Sequence, residues 1–148
     1  LSGCVSSKVY TNSNSEKIQL DKGATSIQVR LEGANSREEA TNQITNALSR
    51  EGYRISESDS QAGIVQTEAQ EFDGEMLGSS ATVRLNVTLE DASTAVVNGE
   101  FVNTSAFTGM DSGERISYGG PKGSQDVVAW NQMLRATEKM GTVTDFKK

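Results

Sequence analysis

Three groups of residues have the types and spacing for chemistry. The segment Gly119-Gly120-Pro121-Lys122-Gly123-Ser124 joins glycines, a lysine and an N-cap residue, the parts from which a phosphate cradle at a helix start is made. In the P-loop order G-x-x-x-x-G-K-S/T the lysine follows the last glycine, whereas Lys122 precedes Gly123. That spacing points instead to a glycine-rich turn ahead of a capped helix. Glu68, Glu71, Asp73 and Glu75 form an acidic run, and Asp111 and Glu114 stand in a second segment. Paired carboxylates hydrolyse glycosides or hold calcium, but the spacing follows no EF-hand or regular oxygen-ligand pattern, and a solvated acidic face is the simpler reading. The chain has no histidine, the commonest general base near neutral pH and the commonest metal ligand. Ser-His-Asp and Cys-His catalysis and the usual zinc sites are thereby excluded. The expectation is no catalytic residue, no metal and no cofactor; an enzyme here would have to work through Asp, Glu, Lys or Ser.

The remaining chemistry is that of one thiol. Leu1-Ser2-Gly3-Cys4 places an aliphatic residue and two small residues before the single cysteine. Small side chains let an extended peptide enter a peptidase, and the thiol is the atom that can carry diacylglycerol. This pattern resembles the lipobox of bacterial lipoproteins. The resemblance implies that residues 1–3 are the remnant of a signal peptide, that Cys4 becomes the first mature residue, and that acyl chains sit on its sulfur and α-amine. Each buried methylene contributes about 0.8 kcal/mol, so two or more chains hold a protein stably at a bilayer. An aspartate after the cysteine commonly retains Gram-negative lipoproteins at the inner membrane. Val5 in that place implies the outer membrane, with the protein facing the periplasm. No apolar run approaches the roughly 20 residues a spanning helix requires.

The elements around these residues follow from pattern. Residues 4–20, rich in Ser, Thr and Asn, read as the lipidated cysteine and a flexible tether. Ile27, Val29 and Leu31 alternate with polar residues as a half-buried strand. Ser36 and Glu39 have the spacing of a capping box, and Ala40, Ile44, Ala47 and Leu48 recur at helical period before Gly52, which predicts a helix over 36–51. A short strand follows at Tyr53 and Ile55, and another over 63–72. Ala81, Val83, Leu85, Val87 and Leu89 alternate strictly with Thr82, Arg84, Asn86, Thr88 and Glu90, and Ala95, Val97, Gly99 and Phe101 carry the return strand of a hairpin. A further strand is expected at 115–118. Val127, Trp130, Met133, Leu134, Thr137 and Met140 place one apolar face on a second helix from Ser124 to Gly141. Trp130 on that face is read as core, with an interface anchor as the alternative. Residues 142–148 are expected to fray.

The expected fold is therefore α+β: a single antiparallel sheet with two helices packed on one face, in the order β-α-β-β-β-β-α, over a domain spanning 21–141. This order resembles the helix-grip and TBP-like arrangements of small periplasmic lipoproteins, including one subunit of the outer-membrane barrel-assembly machinery. Its uncovered polar face offers Thr82, Arg84, Asn86, Thr88 and Glu90 as binding residues, with plain solvation as the alternative. The net charge of −6 and pI near 4.7 repel phosphate backbones, so nucleic acid is not an expected partner. The expected function is a non-enzymatic binding or accessory subunit of the cell envelope, held at the membrane by its anchor and meeting an envelope protein. The alternative is a carrier or sensor of a small apolar ligand such as lipid.

Overall fold

A computed structural model describes residues 7–73, 80–104, 111–121 and 124–148. In chain order the elements are β1 (Ser7–Thr11), β2 (Lys17–Asp21), β3 (Ser26–Arg30), α1 (Arg37–Arg50), β4 (Ile55–Asp59), β5 (Ile64–Thr67), β6 (Gln70–Asp73), β7 (Ser80–Leu89), β8 (Thr94–Thr104), β9 (Asp111–Arg115), α2 (Ser124–Met140) and β10 (Thr142–Lys147). The class is α+β, with a mainly antiparallel sheet, as the periodicity predicts. The sheet is larger than expected. Eight strands run in the order β10-β3-β8-β7-β5-β4, with β9 following β3 along β8 and β6 following β5 along β7. β1 and β2 pair separately as a hairpin.

The first helix begins and ends for legible reasons. The Ser36 hydroxyl accepts from the Glu39 N–H at 3.1 Å, while the Glu39 carboxylate reaches past Ser36 to accept from the Asn35 N–H at 2.7 Å. The box is thus stretched by one residue, with both orphan donors satisfied. At the other end Gly52 takes φ +93°, and the Gly52 and Tyr53 N–H groups return to the Ser49 and Leu48 carbonyls. This is the Schellman arrangement, which needs a residue without a Cβ at the left-handed position.

α2 lies across β3, β7, β8 and β10, and α1 packs beside it over β4 and β5. The α2 face differs from the predicted one at its first turn. Val127 is 55% exposed, and Asp126 and Ala129 turn inward instead, beside Trp130 as expected. The inward set 126, 129, 130, 133, 136, 137 and 140 keeps the helical period, so the apolar stripe starts one residue earlier, on a carboxylate. The core joins Ile27 and Val29, Val83, Leu85 and Val87, Ala95 and Val97, Ile44 and Leu48, and Trp130, Met133 and Met140.

Four expectations need correction. Residues 4–20 are not a tether throughout: β1 and β2 occupy 7–21, and Leu20 is fully buried. The run Asn12-Ser13-Asn14-Ser15 is a clasped turn. The Asn12 carboxamide oxygen accepts from the Asn14 and Glu16 N–H groups, and its amide donates to the Val143 carbonyl at 2.8 Å. Side-chain hydrogen bonds of this kind order a polar segment that has little apolar area to bury. Likewise residues 142–147 do not fray but form β10, which pairs along β3 and buries Val143. Gly141 permits the entry, because a Cβ there would collide with the Arg30 carbonyl oxygen. The region 63–72 is two strands rather than one, interrupted where the Glu68 N–H turns to the Arg54 carbonyl at 2.8 Å. The strand expected at 115–118 lies earlier, at Asp111–Arg115. The order is therefore β-β-β-α-β-β-β-β-β-β-α-β among the described residues.

Candidate functional site: the open face of the sheet

Alternation along β7 sends Val83, Leu85, Val87 and Leu89 into the core and Thr82, Arg84, Asn86, Thr88 and Glu90 to the opposite face. The structure brings these five candidates into one row and sets each against a cross-strand partner. Thr82 faces Glu71 of β6, and Arg84 faces Glu100, which in turn stands in register with Arg115 of β9. The Arg84 guanidinium meets the Glu100 carboxylate at 3.0 Å, with the two side chains 27% and 30% exposed. Asn86 faces Asn98 and accepts from the Gln66 amide at 2.7 Å. Thr88 stands between Ile64 and Val96, and Glu90 accepts from the Gln28 amide at 2.8 Å.

Such cross-strand pairs each contribute on the order of 0.2–1 kcal/mol. Their chief effect is to pre-order the face. Arginine, carboxylate and amide groups are matched to neighbours, so a ligand would meet a patterned surface rather than loose side chains. Ile64, 39% exposed, and the half-buried Val96 add a small apolar strip beside Thr88. Val102, on the same outward alternation, is buried at 8% yet stands outside the main core cluster.

The other sequence candidates are not gathered here. Cys4 lies outside the described residues, as do Glu75, Lys122 and Gly123. Gly120 packs so closely on the buried Asp126 that a Cβ would run into its carboxylate. A carboxylate in that place repels the anion a phosphate cradle would take. Glu68, Glu71 and Glu114 are exposed. Among the described residues no group of three or more His, Cys, Asp or Glu is placed to hold a metal ion. Trp130 is core, 5.8 Å from the Tyr118 ring and 6.0 Å from Phe146 between ring centres. Its indole N–H and the Tyr53 hydroxyl are buried without a hydrogen-bond partner among the described residues.

A second feature was not anticipated. Tyr10 packs edge-on against Phe146 with ring centres 5.3 Å apart, and its hydroxyl donates to the Glu138 carboxylate of α2. Burial, then the bond to Glu138 and its charge, push the Tyr10 hydroxyl above its ordinary pKa. Beside it runs a shallow groove of about 320 Å³ lined by Tyr10, Asn12, Glu138 and Val143. The sequence signal was an aromatic in a stretch otherwise composed like a linker. No protein-family model and no curated protein sequence matches this chain.

Proposed function

We propose that this protein is a lipid-anchored binding or accessory subunit of the cell envelope, acylated on Cys4, held at the membrane and recruiting an envelope protein through the open face of its sheet. The observation that carries the reading is the Leu1-Ser2-Gly3-Cys4 motif, with only Val5 and Ser6 between it and β1. Confinement to a surface raises the effective concentration of a domain near membrane-bound partners, so a modest patterned face suffices for recruitment. The orientation follows the sequence expectation of an outer-membrane protein facing the periplasm.

The competing reading, a carrier of a small apolar ligand, would need space between helices and sheet. Trp130, Met133, Ala136 and Met140 fill that interval with side chains that are almost wholly buried, which weighs against it. Affinity purification from membranes, comparing the wild type with Cys4→Ala and identifying partners by mass spectrometry, tests the proposal. The expected result is a membrane complex that co-purifies with the wild type and is depleted for Cys4→Ala. Hydrolysis of sugars, esters or peptides by the purified protein in a broad screen would overturn the non-enzymatic reading.

A further inference from the structure

The acidic chain has a basic end, and it is the end where the chain arrives from Cys4. Ser7 opens β1 opposite Asp21, the last residue of β2, and Lys22 follows directly. Lys8 sets its ammonium over the Tyr118 ring, 5.7 Å from the centre. The Tyr118 N–H donates to the Ala24 carbonyl at 2.9 Å, and the Tyr118 carbonyl accepts from Gly23 at 2.8 Å. A Cβ on Gly119 would lie 3.1 Å from the Lys22 side chain, and one on Gly23 would lie 3.8 Å from that of Lys148. The Lys147 carbonyl accepts from the Thr25 N–H at 2.8 Å. Lys8, Lys22, Lys147 and Lys148 are thus drawn to one end of the domain by β1, the β2–β3 turn and β10. All four are exposed, and none makes an ion pair among the described residues. The carboxylates closest in sequence, Asp21 and Asp145, are turned to the Gln19 amide at 2.8 Å and the Phe146 N–H at 2.9 Å, so the four ammonium groups outnumber them.

We propose that this lysine end is a docking surface for an anionic lipid bilayer, seating the domain directly on the membrane that holds its anchor. The inference rests on Cys4 being the acylated residue. From Cys4 to Ser7 a chain reaches at most about 10 Å, comparable with the screening length of about 8 Å at physiological ionic strength. The face around Ser7 is therefore held within range of the headgroups, and the acidic remainder of a chain with net charge −6 extends away from them. An anionic surface attracts the lysines and repels the rest, which orients the domain and turns its other surfaces to partners.

The test separates this surface from the anchor. Full-length protein carrying Cys4→Ser is sedimented with vesicles of 30% phosphatidylglycerol in phosphatidylcholine, and with phosphatidylcholine alone, at low and high salt. Binding is expected only to the anionic vesicles and is lost at high salt. Each of Lys8→Ser, Lys22→Ser and Lys148→Ser should weaken it about fivefold, the equivalent of ~1 kcal/mol per lysine near such a surface. Lys17→Ser, at the far end of the hairpin opposite Thr11, should leave binding unchanged. Equal binding to both vesicle types, or no response to the three lysine changes, overturns the proposal. So does a lysine-dependent capture of an acidic envelope protein without any vesicle binding. Mass spectrometry of Cys4 from membranes reads the anchor independently: an unmodified thiol sinks the anchor while the vesicle result still stands on its own.

Discussion

The two faces of β7 belong to one strand and meet opposite fates. Inward, Val83, Leu85, Val87 and Leu89 are packed under α2 with almost no exposure. Outward, Arg84, Asn86 and Glu90 are held by hydrogen bonds to neighbouring strands and stay partly or fully exposed. The inner face is stabilised by area removed from water and by close packing, which tolerate little change. The outer face is stabilised by many small polar terms, each replaceable. The outer face can therefore vary without loss of the fold, provided the alternation is kept.

The sharpest way to break that asymmetry is to delete volume inward. Leu85→Ala, at a fully buried position, should cost roughly 2–5 kcal/mol in a denaturant titration, the range for leucine truncation in a core. Adding volume is the next largest effect. A Cβ on Gly99 would lie 2.8 Å from Ile116 Cδ1 and 2.9 Å from Leu85 Cδ2, so Gly99→Ala should destabilise by about 1–3 kcal/mol through overpacking. Outward, Arg84→Ala and Glu100→Ala, taken singly and together, should give a coupling energy of about 0.5–1 kcal/mol, reduced by salt. A coupling above the cost of Gly99→Ala would erase the contrast between the faces.

The smallest effect lies at the tip of the β7–β8 hairpin. Asp91 accepts from the Ser93 N–H at 2.8 Å and from the Ser93 hydroxyl at 3.1 Å, and these bonds, backbone first, hold its carboxyl below the ordinary value. A depressed folded-state pKa means stability that is present above the unfolded-state value and lost as pH falls through the folded one. An NMR titration should place the Asp91 midpoint below the usual aspartate range, and Ser93→Ala should move it upward. A midpoint unmoved by that change would show the hydroxyl to be a bystander.

Legibility in the sequence followed the same division. The capped helix at Ser36, the Gly52 stop and the β7–β8 hairpin were each readable because the deciding contacts are local or strictly periodic. The row Thr82 to Glu90 was readable as a face for the same reason. Its partners Val96, Asn98 and Glu100 follow from the same hairpin, whereas Gln66 and Gln28 come from strands 20 and 62 residues away, which no short-range pattern announces. Val127 was misplaced because alternatives one residue apart both satisfy a helical stripe that includes Trp130, and packing chose the one that turns Asp126 and Ala129 inward.

Residue types and spacing by themselves determined the class of fold, the absence of histidine chemistry and the alternation that separates core from surface. Tertiary structure alone decided the fate of residues 7–21 and 142–147. Asn12 and Val143 stand 131 residues apart and Tyr10 and Glu138 stand 128 apart, yet each pair is joined by a hydrogen bond. Segments with composition close to that of linkers became β1, β2 and β10 because each completes hydrogen bonds and burial that the others provide. That dependence is long-range, and local propensity carries no record of it.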